Sequence, residues 1–129
     1  MKKATLEELI KRKEQGKADK LQTKEVEISV LGMSVVVVKQ PLTRVLQLID
    51  NYNGLEGLHN NFEMSKELIY MSVPLFQSEK LQEVYECVEP VDIVPAVLEN
   101  NLGAISELVN AITEMYGLTN GMAVADLKN

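Results

Sequence analysis

His59, Cys87 and the glutamates Glu79, Glu83, Glu86 and Glu89 are the side chains in this sequence that invite a chemical reading. His59 is the single histidine and stands in the Gly- and Asn-rich stretch Gly57-Leu58-His59-Asn60-Asn61. A catalytic base or metal ligand needs Cys, Asp or Glu partners at ligand spacing, and none accompanies it, so a solvated loop histidine is expected. Cys87 is the single cysteine. A reactive thiol needs positive charge nearby, yet its neighbours are Glu83, Glu86 and Glu89, so a buried structural cysteine is expected. The four glutamates recur at helical spacing, but a calcium loop requires alternating Asp or Asn ligands around a central glycine. They are expected on a solvated helix face. Gly54-Leu55-Glu56-Gly57 lacks the third glycine and the preceding strand of a phosphate cradle, and there is no Gly-x-Ser-x-Gly elbow. The expectation is a non-catalytic chain, without cofactor or metal, that acts by binding.

Composition sets the frame for those residues. A chain of 129 residues suits one domain, and 46% hydrophobic with 25% charged residues is the balance of an ordinary soluble protein. With 5% aromatics and no Trp, the core must be built from Val, Leu, Ile and Met, and most of the six methionines read as gap fillers. One cysteine permits no intrachain disulfide, which points to a reducing cytoplasm. The longest apolar run, Val35 to Val38, is far too short for a bilayer, so no membrane role is expected. Charge is uneven. Residues 1–24 hold eight basic and four acidic side chains (+4), whereas residues 25–129 hold five and fifteen (−10). An acidic body repels a phosphate backbone, which disfavours nucleic acid and suits a basic protein partner.

The expected fold class is α+β, mainly α-helical: an N-terminal helical arm and one β-hairpin packed with about five helices. Residues 1–20 read as a mobile charged helical arm. Thr5 and Glu8 form a capping box, and Leu6, Leu9 and Ile10 make a short stripe that nothing continues. Residues 21–117 read as a single α+β domain. Its hairpin alternates Val26, Ile28 and Val30 against Met33, Val35 and Val37, and a two-residue turn at Leu31-Gly32 would set Ile28 opposite Val35. Leu42, Val45, Leu46 and Ile49 predict a helix closed by Asn53-Gly54. A helix after Phe62 should be closed or kinked at Pro74, and Ser78 should open a short one with Leu81, Val84, Tyr85 and Val88 inward. Pro90 and Pro95 should bracket an element with Val91, Val94, Val97 and Leu98 inside. Leu102, Ile105, Leu108, Val109, Ile112 and Met115 predict the last helix. Residues 118–129 read as a flexible tail.

Two sets of apolar residues are left over and become the candidate partner-binding residues. Val36 and Val38 fall on the outer face of the hairpin beside Glu25, Glu27 and Ser34. Leu6, Leu9 and Ile10 form an apolar stripe on a charged arm, the pattern that docks a helix into a groove. In each case a helix of the same chain or a second polypeptide is the cover, and pairing with another copy stays open because a lone hairpin is marginal.

The order of segments resembles the XkdN-like tail assembly chaperone family of phages and phage-like elements in Gram-positive bacteria. Three stretches carry the likeness: Leu6-Glu7-Glu8-Leu9-Ile10 with its lysine-rich continuation into the hairpin; Lys39-Gln40-Pro41 leading to Ile49-Asp50; and Leu81 to Val94, with its phrase Glu89-Pro90-Val91-Asp92-Ile93-Val94, followed by the helix from Gly103 to Tyr116. Gly103-Ala104-Ile105 departs from the Gly-Glu-Ile often found there. The resemblance implies a cytoplasmic protein, missing from the mature particle, that binds and protects the tape measure protein before the tail tube polymerises. The tail tube protein is a further implied partner. The alternative is a structural tail component, a terminator or adaptor. Such chaperones are often extended by a translational frameshift, and Asp126-Leu127-Lys128 permits the slippery codons GAU-UUA-AAA.

Overall fold

The computed structural model describes residues 2–14 and 22–117. Among them are six helices and one antiparallel hairpin, an α+β fold that is mainly helical. The remainder of the arm and the tail, with Asp126-Leu127-Lys128, lie outside the described residues.

Strands β1 (Thr23–Ile28) and β2 (Met33–Val38) pair with Val26 opposite Val35 and Ile28 opposite Met33. The expected register is therefore corrected by two residues. The cause is the turn, which takes four residues, Ser29 to Gly32, rather than two. The Leu31 and Gly32 amides both bond the Ile28 carbonyl at 3.0 Å, and Gly32 sits at φ +63, which glycine adopts without steric cost. Because side chains alternate with period two, a shift of two keeps every residue on its own face. Val26, Ile28, Val35 and Val37 are accordingly all buried, while Met33, beside the turn, is exposed.

That inner face packs on α6 (Leu102–Glu114) and on a 3₁₀ turn, Pro74–Gln77, whose Phe76 is fully buried. Polar ties fix the same seam: Lys24 pairs with Glu114 at 3.4 Å, and the Ser29 hydroxyl donates to Glu107 at 3.2 Å. A firmer clasp lies just beyond Glu114. The Tyr116 hydroxyl accepts from the Gln40 amide at 2.7 Å and donates to the Gln40 carbonyl at 3.0 Å. It thereby ties the end of α6 to the link between β2 and α2 (Leu42–Asn51).

Helix α2 buries Val45, Leu48 and Ile49, so its inner stripe is rotated from the expected one, and Leu42 and Leu46 are exposed. Helix α3 (Leu58–Ser72) begins four residues before Phe62, which places His59 in a helical turn and not in a loop. It ends as expected at Pro74, with Val73 extended as a residue before proline must be. Around α3 gather α2, α5 (Ile93–Val97), α6, the Pro74–Gln77 turn and a second 3₁₀ turn, Pro90–Asp92. Lys66 of α3 is nearly buried, pairs with Glu63 at 2.7 Å and Asp92 at 3.5 Å, and lies 5.2 Å from the Phe62 ring centre.

Two expectations fail between residues 79 and 98. Helix α4 (Glu79–Val84), capped by Ser78, stops after Val84 in a Schellman turn: Cys87 N–H bonds Gln82 C=O, Glu86 N–H bonds Glu83 C=O, and Glu86 takes φ +54. The chain reverses before the apolar stripe completes, so Leu81 is half-buried but Val84, Tyr85 and Val88 face outward. Pro95 lies within the first turn of α5, not at its end, where a missing N–H costs no helical bond. A second Schellman turn closes α5, with Glu99 at φ +56.

Candidate functional site

Helix α1 (Leu6–Glu14) forms for local reasons. The Thr5 hydroxyl accepts from the Glu8 amide at 3.2 Å and bonds the Glu8 carboxylate at 3.2 Å; the expected return bond to the Thr5 amide goes to its hydroxyl instead. Glu7 and Glu8 occupy the first turn and Lys11, Arg12 and Lys13 the last, each favourable to the helix dipole. None of its residues is buried. Leu6, Leu9 and Ile10 are 75%, 57% and 46% exposed.

That exposure sets an energetic problem. Nine residues is below the ~12–15 at which an isolated helix holds its own in water. The Lys2–Glu8 ion pair, at 3.3 Å and open to solvent, adds little. Covering the three apolar side chains would contribute on the order of 3–5 kcal/mol, taking ~1.5–3 kcal/mol for each full burial and scaling by the exposed fraction. The arm has its stripe ready, and no cover for it among the described residues.

The second candidate set divides. Val36 is 46% exposed on the outer face of β2, beside exposed Glu25, Glu27 and Ser34, while Val38 is half-buried. Among the described residues Val36 thus remains without a cover, and Val38 is partly covered.

The other chemical residues resolve simply. His59 is exposed. Glu79, Glu83, Glu86 and Glu89 all face solvent. Cys87 is half-buried, not buried as expected; burial pushes its thiol pKa up and Asp92 adds to the shift, away from the reactive thiolate. Among the described residues no group of three or more His, Cys, Asp or Glu side chains is arranged to hold a metal. Among those same residues, no helix is long and apolar enough to cross a membrane.

Sequence reasoning missed a groove of about 320 Å³ between α2 and α3, lined by Arg44, Gln47, Asn51, Glu67, Tyr70 and Val91 among others. Its lining comes from three separated segments, so no local spacing signals it. Its strongest polar groups have partners inside the chain. Arg44 donates to the Gln40 side chain at 3.2 Å, and Glu67 accepts from the Tyr52 hydroxyl at 2.5 Å. That bond, with burial and the nearby charges of Glu67 and Glu63, pushes the Tyr52 pKa up to about 12.

The Glu89-Pro90-Val91-Asp92-Ile93-Val94 phrase has a structural meaning. Glu89 and Asp92 form a reciprocal capping box, with the Glu89 amide donating to Asp92 at 3.2 Å, and Pro90 occupies the first position, where no N–H is needed. Asp92 also meets Lys66, while Ile93 and Val94 are fully buried. The phrase builds the fold.

No protein-family model and no curated protein matches the sequence. Among solved structures, the crystal structure of the protein YqbN is similar, with a TM-score of 0.59 and 20% identity over 76% of this chain and 87% of that one. At that identity the likeness is one of fold.

Proposed function

We propose that this protein is a tail assembly chaperone of a phage or phage-like element, which works by covering apolar helical surface on the tape measure protein until tube subunits displace it. The observation that carries the reading is α1: a capped, dipole-matched helix that buries none of its residues and exposes Leu6, Leu9 and Ile10. A chain that folds for its own stability alone gains nothing from such a stripe, whereas one that masks a long helical partner needs it. The segment order shared with the XkdN-like chaperones supports the same reading. So does the chemistry elsewhere: Arg44 and Glu67 of the α2/α3 groove are engaged by Gln40 and Tyr52, and the cysteine is held away from its reactive form.

In this reading the protein acts in the host cytoplasm and is missing from the finished particle. Co-expression with the tape measure gene of the same element tests it. The two chains should copurify, and Leu6→Ser with Leu9→Ser should abolish the complex. Two soluble chains that elute separately would defeat the proposal.

A further inference from the structure

Of the apolar surfaces that this structure leaves open, the arm and one other are opposite in charge. The other is the corner at the end of α4. There Val84, Tyr85 and Val88 are 68%, 45% and 94% exposed, and Leu75, on the 3₁₀ turn that packs against α4, is 59% exposed. The Schellman turn produces this corner: by reversing the chain after Val84 it brings Val84, Tyr85 and Val88 onto one tight bend and holds them outward. Around them stand Glu79, Glu83, Glu86 and Glu89, all exposed, with Lys80 the one cation between residues 75 and 92. Glu86 holds the left-handed position of the turn, where glycine is the easy choice, and keeps a carboxylate there.

The arm carries the complement. Leu6, Leu9 and Ile10 form its apolar stripe, and Lys2, Lys3, Lys11, Arg12 and Lys13 outnumber Glu7, Glu8 and Glu14. Among the described residues both surfaces are uncovered, and in this structure neither lies against the other.

We propose that α1 of one copy docks on the α4 corner of a second copy. Leu6, Leu9 and Ile10 lie against Val84, Tyr85 and Val88, and the basic residues of the arm face the glutamates of the corner. The contact joins two different surfaces. Two copies related by a two-fold axis therefore make it twice, and an arrangement without that axis makes it once per junction and propagates. Charge guides the approach and apolar burial holds it, so association weakens with salt without vanishing. The inference stands apart from the chaperone reading, because it concerns the purified chain alone.

Sedimentation velocity on the full chain tests it, with two variants: one carrying L6S, L9S and I10S, the other V84S and V88S. All five positions are exposed, and circular dichroism should show the wild-type fold in both. The wild type should self-associate with concentration and do so at least about 10-fold more weakly at ~500 mM than at ~50 mM salt. Each variant alone should be monomeric. Mixed, they should form a one-to-one complex, because the intact arm of the corner variant meets the intact corner of the arm variant. A monomeric wild type, variants that associate like the wild type, or a mixture that stays monomeric would each overturn the proposal. Loss or survival of tape measure binding has no bearing on these readouts.

Discussion

Removing the hydroxyl of Tyr116 tests how the C-terminal helix is held to the rest of the fold. Tyr116→Phe keeps the ring, and with it the Lys39 ammonium 5.3 Å from the ring centre, and deletes only the oxygen. Two hydrogen bonds go with it, the 2.7 Å bond from the Gln40 amide and the 3.0 Å bond to the Gln40 carbonyl. Each is worth ~0.5–1.5 kcal/mol net, and an orphaned buried group costs more, ~1–3 kcal/mol. Gln40 is half-buried, so water reaches part of what is lost, and the expected cost is about 1–2 kcal/mol. Against the ~0.05–0.15 kcal/mol per residue typical of a domain, that is a sizeable fraction of the whole. Urea unfolding followed by far-ultraviolet circular dichroism measures it. The midpoint should fall with the slope unchanged, and the melting temperature should drop by roughly 4–8 °C per kcal/mol. A variant within about 0.3 kcal/mol of wild type would refute the clasp, since it would mean solvent serves Gln40 as well as Tyr116 does.

Ser72 is fully buried, and its hydroxyl has no hydrogen-bond partner among the described residues, so Ser72→Ala should stabilise by about 1 kcal/mol; a loss in urea unfolding would contradict this. Glu99 holds a left-handed position that costs an L-residue ~1–2 kcal/mol, and glycine gives back ~0.5–1 kcal/mol through its freer unfolded chain. Glu99→Gly should therefore raise stability by about 0.5–1 kcal/mol, and a lower unfolding midpoint would count against the assigned turn. The Tyr52 phenol keeps its proton up to about 12 in the fold, against about 10 when unfolded. A raised folded pKa contributes stability below pH ~10 that is lost as pH climbs toward 12, so wild type should lose more stability than Tyr52→Phe between about pH 9 and pH 11. Parallel losses in the two proteins would remove Glu67 as the cause.

Where local patterns govern, the fold was legible. The alternation in β1 and β2 assigned Val26, Ile28, Val35 and Val37 to one face, and Ile105, Leu108 and Ile112 marked the inner side of α6. The hairpin register was not, because a four-residue loop closed by Gly32 competes with a two-residue turn, and both put the same residues inward. At the end of α4 nothing warned of the reversal, since the left-handed position holds Glu86 and not a glycine. The stripe Leu42–Leu46 on α2 gave the period but not the phase; tertiary packing chose Leu48 over Leu46. For the candidate site, the arm and Val36 were readable as apolar residues with no partner in the pattern. The α4 corner was not, because Val84, Tyr85 and Val88 only become exposed once the helix has stopped.

The position of α3 has a consequence for how this protein opens. Five elements rest on that one helix, and Lys66 pins it to the Pro90–Asp92 turn from the middle of its length. Loosening any one of them strips cover from the others, so the body should come apart as one cooperative unit. Amide protons around Leu68 and Ile69 should then exchange only through global unfolding. Those of α1, which shares none of that burial, should exchange on their own far faster clock and slow only when something comes to cover the helix.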